Sequence, residues 1–156
     1  MRIVIWAIAK KTAPGLEEAI SEYEERLNRF IPMHTELIPP AQPTTDFQAA
    51  RRIEADRVLQ RLREKDYLVL LDEHGKAFST SEWAAWMTER QMENISRLIF
   101  LIGGAYGVDK QLKQKARLMI SLSRLTFPHQ LARLILTEQL YRVFTILHHQ
   151  PYHHES

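Results

Sequence analysis

The chain has 156 residues, 45% of them hydrophobic and 26% charged, which favours one soluble globular domain over 1–156 with a sizeable core. Cysteine is absent, so disulfides, thiolate catalysis and Cys-ligated zinc are excluded, and a reducing cytoplasm is compatible. A net charge of +2 and a pI near 9.0 permit a nucleic-acid partner without arguing strongly for one.

Residues 2–9 form a β-rich apolar run that reads as a buried strand rather than a signal peptide, because no small-residue cleavage site follows. No apolar run approaches the ~20 residues of a membrane span. Residues 10–15 form a loop. Leu16, Ala19, Ile20, Tyr23, Leu27 and Phe30 then recur at helical spacing, which predicts an amphipathic helix over 14–30 with an acidic outer face. Residues 33–38 are a second short strand, and the proline-rich stretch 39–45 is a turn-rich loop. Asp46 is placed to cap a helix over 47–65 with Ile53, Val58, Leu59 and Leu62 on its apolar side. That helix carries Arg51, Arg52, Arg57, Arg61 and Arg63, either as a solvated face or as a contact to an RNA backbone.

Residues 67–71 read as a short buried strand, and 72–76 as the loop at its carboxyl edge. Ser79 with Glu82 three residues on is a capping box, opening a helix over 80–93 that buries Trp83, Trp86 and Met87. Residues 97–102 form another buried strand, stopping at Gly103-Gly104-Ala105-Tyr106-Gly107, where missing side chains allow positive φ or close approach of a ligand. A short basic helix over 109–116 and a last strand over 118–122 follow. Residues 128–147 form a final helix, apolar over most of its circumference, which calls for a subunit contact as well as a core contact. Strand and helix alternate throughout. That order predicts an α/β fold: a mostly parallel sheet with helices on both faces.

In open α/β sheets ligands sit at the carboxyl ends of strands. The stretch 121–129 leaves the last strand and enters the last helix within a few residues. Pro128 suits the first turn of that helix, and Thr126 or Ser123 is available to cap it. An ordinary strand-to-helix connection would read the same way. The glycine-rich turn at 103–107 lacks the spacing of a dinucleotide fingerprint, and there is no P-loop, so a nucleotide phosphate is disfavoured. A neutral or zwitterionic nucleoside fits better, held by three loops around Leu71, around Gly103 and over 122–127. His148, His149, His153 and His154 crowd the tail, but a zinc site needs three or four convergent ligands and only Glu155 is an acidic neighbour, so no metal is expected. Glu138 and Arg142 are spaced i,i+4, either as a surface pair worth ~0.3–0.5 kcal/mol or as groups at the mouth of the pocket.

The run 100–107, the run 121–129, Glu138, the pair Tyr141-Arg142 and Pro151-Tyr152-His153 fall in an order and spacing that span the whole chain. Together they resemble the small SPOUT-superfamily methyltransferases that modify N3 of a pseudouridine in bacterial 23S ribosomal RNA. The resemblance implies a C-terminal deep trefoil knot, which periodicity does not show. It implies S-adenosylmethionine as cofactor, held by Leu71, Gly103, Leu122, Ser123, Arg124, Leu125, Thr126 and Phe127. It implies a cytoplasmic homodimer built on the last helix, and the assembled ribosome as substrate. Within RNA modification a tRNA-directed enzyme stays open. A knotted RNA-binding or ribosome-assembly factor without catalysis is the alternative outside it.

N3 of a pseudouridine is an imide, protonated at neutral pH. A base must take that proton, or a cation must stabilise the anion. On the resemblance, His153 is the candidate base. Tyr152 would stack on or hydrogen-bond the substrate base, Arg142 would stabilise negative charge or hold a phosphate, and Glu138 would orient it.

Overall fold

The computed structural model describes residues 1–11 and 13–154. Five strands alternate with five helices: β1 (Arg2–Ile8), α1 (Pro14–Asn28), β2 (Met33–Ile38), α2 (Phe47–Leu59), β3 (Asp66–Ala77), α3 (Thr80–Gln91), β4 (Arg97–Ile102), α4 (Lys110–Lys115), β5 (Leu118–Ser121) and α5 (His129–Leu147). The strands form one parallel sheet in the order β2-β1-β4-β3-β5. Successive side chains of a strand point to opposite faces. Ile3, Ile5 and Ala7 therefore enter one core with Leu27 of α1, Trp83 and Met87 of α3, and Leu136, Leu140, Val143 and Phe144 of α5. Val4, Trp6 and Ile8 enter the other, with Ala55 and Val58 of α2 and Leu112 of α4. Helices thus cover both faces, as the alternating pattern predicts. Among the described residues no helix is long and apolar enough to cross a membrane.

Strands β2 and β4 fall on the residues expected of them. The capping box is present, with Glu82 N–H donating to Ser79 Oγ (3.1 Å) and Ser79 N–H to the Glu82 carboxylate (3.2 Å). Elsewhere the structure departs from the sequence reading. Helix α2 ends at Leu59, not at 65. Arg97, buried against Asp66 through two hydrogen bonds of 2.8 and 2.6 Å, also donates to the Arg61 carbonyl (2.9 Å) and so draws the chain out of the helix. The buried stripe of α2 runs through Glu54 (1% exposed) rather than Ile53 (45%). Strand β3 does not stop at Leu71. Leu71 and Lys76 both pair with Ile120, so residues 72–75 bulge out of a strand that resumes to Ala77. Trp86 is half-buried rather than core.

Pro128 precedes the first turn of α5, and no side chain caps that helix. Thr126 Oγ1 donates instead to Glu73 (2.7 Å), and Ser123 Oγ accepts from Leu125 N–H (3.0 Å). Thr12 of the first loop and Glu155 of the tail lie outside the described residues.

Candidate active site

Strands β4, β3 and β5 are neighbours, so their carboxyl ends meet at one edge of the sheet. A cavity of about 470 Å3 opens there. Three turns build it. The β3 bulge contributes Leu71, Asp72, Glu73 and His74. The β4–α4 turn contributes Ile102, Gly103, Gly104, Ala105, Gly107 and Val108. The β5–α5 turn contributes Leu122, Ser123, Leu125, Thr126 and Phe127, with Lys113 of α4 and Ala132 of α5 completing the wall.

Each turn is fixed by its own chemistry. In the bulge, Asp72 Oδ1 accepts from His74 N–H (2.8 Å). The glycine-rich turn closes through Gly107 N–H to the Gly104 carbonyl (3.2 Å), and Gly107 adopts φ +84°, which L side chains rarely reach. Helix α2 supports that turn from behind: Arg51 Nη1 donates to the Tyr106 carbonyl (3.1 Å), and a Cβ on Gly104 would lie 3.0 Å from Glu54 Oε1 and 3.1 Å from Ile8. Glu54 itself is buried and accepts from Ala41 N–H (2.9 Å). In the third turn, Ser121 Oγ donates to the Ser123 carbonyl (2.9 Å). The Thr126–Glu73 bond then ties this turn to the bulge across the cavity mouth.

Of the eight residues expected to hold the cofactor, all but Arg124 line this cavity. Arg124 sits at the apex of the serine-stapled turn and is exposed, so its side chain is not part of the wall. Sequence reasoning missed Asp72, Glu73, His74 and Lys113, which bring the charge to the site. For Asp72, Glu73 and His74 the signal was their place just after an apolar strand, where ligand loops lie; Lys113, inside α4, carried no such signal.

The four expected catalytic residues form one cluster. Glu138 accepts from Arg142 Nε (3.0 Å) and from the Tyr152 hydroxyl (3.1 Å). Arg142 lies over the Tyr152 ring (4.7 Å to its centroid), and its Nη1 is 3.3 Å from His153 Nδ1. The Tyr141 ring meets Tyr152 edge-on at 4.7 Å. Hydrogen bonding to Glu138 holds the Arg142 guanidinium above its ordinary pKa, and burial pushes the Tyr152 hydroxyl well above the usual tyrosine range. Arginine can only donate, so His153 Nδ1 is the acceptor and a neutral ring carries its proton on Nε2.

This cluster does not stand at the mouth of its own chain's cavity, contrary to the sequence reading. Ala132 lines the cavity. At 1.5 Å per residue, Glu138 and Arg142 lie about 9 and 15 Å further along α5. Among the described residues no group of histidine and carboxylate side chains is placed to hold a metal ion.

A parallel sheet covered by helices, with a cavity across three neighbouring strand ends, defines an α/β protein with its small-molecule site in the position usual for that class. A family model described as "Predicted SPOUT methyltransferase" matches residues 1–153. The chain is 40% identical over 157 residues to "Ribosomal RNA large subunit methyltransferase H" of Parabacteroides distasonis, covering 99% of this chain and all of the relative. It is 42% identical over 158 residues to the protein of that name from Acetivibrio thermocellus, covering 98% and 99%. Among solved structures, the SpoU methyltransferase AviRb from Streptomyces viridochromogenes, in complex with AdoMet, aligns at a TM-score of 0.43 and 15% identity, over 90% of this chain and 56% of that one. The chain belongs to the SPOUT methyltransferase family.

Proposed function

We propose that the chain is an S-adenosylmethionine-dependent methyltransferase that modifies N3 of a pseudouridine in 23S ribosomal RNA on the assembled ribosome. The observation that carries this is the cavity at the β3, β4 and β5 ends in a chain that matches named ribosomal RNA methyltransferases over its full length. The cavity suits the cofactor. Its volume lies in the range of small-molecule sites, about 300–1,000 Å3. Ile102, Val108, Leu122 and Phe127 offer apolar walls to a flat base. Asp72 and Glu73 suit hydroxyls and positive charge, and Lys113 suits a carboxylate. When bound, S-adenosylmethionine supplies an electrophilic sulfonium methyl. The chain's own work is alignment and charge.

The distance between tail cluster and cavity supports a homodimer through α5, in which each cavity is completed by the tail of the partner subunit. The half-buried apolar side chains Leu134 and Ile135 of α5 favour the same contact. The C-terminal deep trefoil knot belongs to the same reading, on the membership of the chain in the SPOUT family. Cytoplasmic location follows from the ribosomal substrate.

In this reading Arg142 stabilises the imide anion of the substrate, and Glu138 holds the guanidinium in place. Tyr152 remains a neutral donor across the working pH range. The Arg142–His153 contact makes His153 a donor through Nε2. Anion stabilisation by Arg142 is therefore favoured over proton removal by His153. Truncation after His148 tests the assignment. Methyl transfer to whole ribosomes should vanish while S-adenosylmethionine still binds in the micromolar range, roughly −8 kcal/mol by calorimetry. Transfer at wild-type rate by the truncated protein would reject the role of the tail. Methylation of tRNA or free rRNA in preference to ribosomes would reject the substrate.

A further inference from the structure

Beside the cavity lies a patch that the chemistry above leaves unused. Phe47 opens α2 with 53% of its surface exposed, and its ring lies 5.4 Å from that of Tyr106. Tyr106 stands between Ala105 and Gly107, both cavity residues, so this aromatic pair is continuous with the cavity rim. Arg51 is anchored to the Tyr106 carbonyl (3.1 Å), and the neighbouring Arg52 is exposed with no side-chain partner among the described residues. The surroundings are basic: α2 and α4 carry six Lys or Arg against two acidic residues, whereas α1, on the other face of the sheet, carries one against five.

An exposed Phe47 ring set against the half-buried Tyr106 ring, flanked by arginines in a basic layer, suits an unstacked base with its phosphates. Ring faces take bases of any sequence, and guanidinium groups take the backbone. A protein surface would be matched by apolar area or acidic partners, and a duplex would present no free base face. We propose that Phe47, Tyr106, Arg51 and Arg52 form a landing rim for a single-stranded RNA segment next to the target nucleotide. The inference rests on the ribosomal RNA methyltransferase reading and names the surface on which that substrate is gripped.

The test uses the full-length protein with Phe47→Ala, Phe47→Trp and Arg52→Ala. One arm measures methyl transfer to ribosomes from cells lacking their own enzyme for this position. The other measures binding of a fluorescent eight-residue oligouridylate and of an eight-base-pair RNA duplex. Phe47→Ala should raise KM for ribosomes about 5- to 150-fold, the loss of one stacked base, with kcat and S-adenosylmethionine affinity unchanged. Phe47→Trp should restore KM. Arg52→Ala should lower the salt slope of oligouridylate binding by about 0.7, one phosphate contact.

The proposal is overturned if both alanine variants keep wild-type KM, salt slope and oligouridylate affinity. It is equally overturned if KM rises while oligouridylate binding stays intact, which would assign the rim to a ribosomal protein, or if only duplex binding is lost. Failure of the unaltered chain to methylate ribosomes would sink the functional reading instead. The oligouridylate arm would still decide the rim.

Discussion

Gly75 is the residue on which the bulge of β3 depends. A Cβ there would lie 2.7 Å from the carbonyl carbon and oxygen of Met119 and 2.8 Å from the nitrogen of Ile120. Those are main-chain atoms of β5, which cannot rotate aside as a side chain can. Gly75→Ala must therefore push the bulge and β5 apart. Overpacking of this kind costs about 1–3 kcal/mol, offset by about 0.4–1 kcal/mol from the lower entropy of the unfolded chain. A net loss on the order of 1–2 kcal/mol lowers the melting temperature by roughly 2–8 °C for a chain of this size. The same shift separates Leu71 from Leu122, so cofactor binding weakens as well. Gly15→Ala is the matched control: nothing lies within 4 Å of its Cβ position in the first turn of α1, so it should be neutral or stabilising by up to about 1 kcal/mol. Calorimetric melting at one protein concentration, with titration of S-adenosylmethionine into both variants, checks the pair. Equal melting temperatures and equal affinities would refute the account of the bulge.

Other perturbations follow from the buried polar groups. Arg97→Leu leaves Asp66 buried without its partner and should cost about 3–5 kcal/mol in denaturant unfolding; a loss under 1 kcal/mol would mean that the pair is structurally idle. His129, at the start of α5, has its pKa lowered, first by burial and then by the charge of Arg133. Its folded pKa is thus below its unfolded value near 6.5, so the unfolded chain takes up the proton first. The associated stability is complete above that pH and is lost as pH falls towards the folded pKa. His129→Gln should flatten the fall in melting temperature on acidification, and an unchanged slope would assign that fall to other groups.

The layers of the fold were legible because two simple signals carry them. Residues 97–102 are a mainly apolar run, residues 33–38 are a short segment closed by Pro39 and Pro40, and Ser79 with Glu82 marks a helix start whatever surrounds it. The bulge was not legible. Residues 72–76 are polar, and what keeps them in a strand is main-chain pairing of Lys76 and Ala77 with β5, far away in sequence. Helix α2 misled for a related reason. Periodicity puts Ile53 inside, but the helix must support the glycine-rich turn, and the carboxylate of Glu54 is what packs beneath Gly104. At the cavity, turn positions were readable from strand ends, so Leu71, Gly103 and most of 122–127 were found. The direction in which Arg124 points depends on hydrogen bonds of Ser121 and Ser123 that spacing does not encode. Glu138 and Arg142 were paired correctly by their i,i+4 spacing, yet their distance from the cavity emerges only once α5 is laid along the sheet.

Mixed dimers test the completion of each cavity by a second subunit most directly. One chain would carry Gly104→Val, which forces the glycine-rich turn off Glu54 and Ile8. The other would carry Arg142→Ala. Each is expected to be inactive alone. Co-expressed in equal amounts, they should recover about a quarter of wild-type methyl transfer, since half of randomly paired dimers are mixed and each of those holds one intact cavity facing one intact tail. Activity no higher than that of either variant alone would place cavity and tail of one site in the same chain and contradict the account.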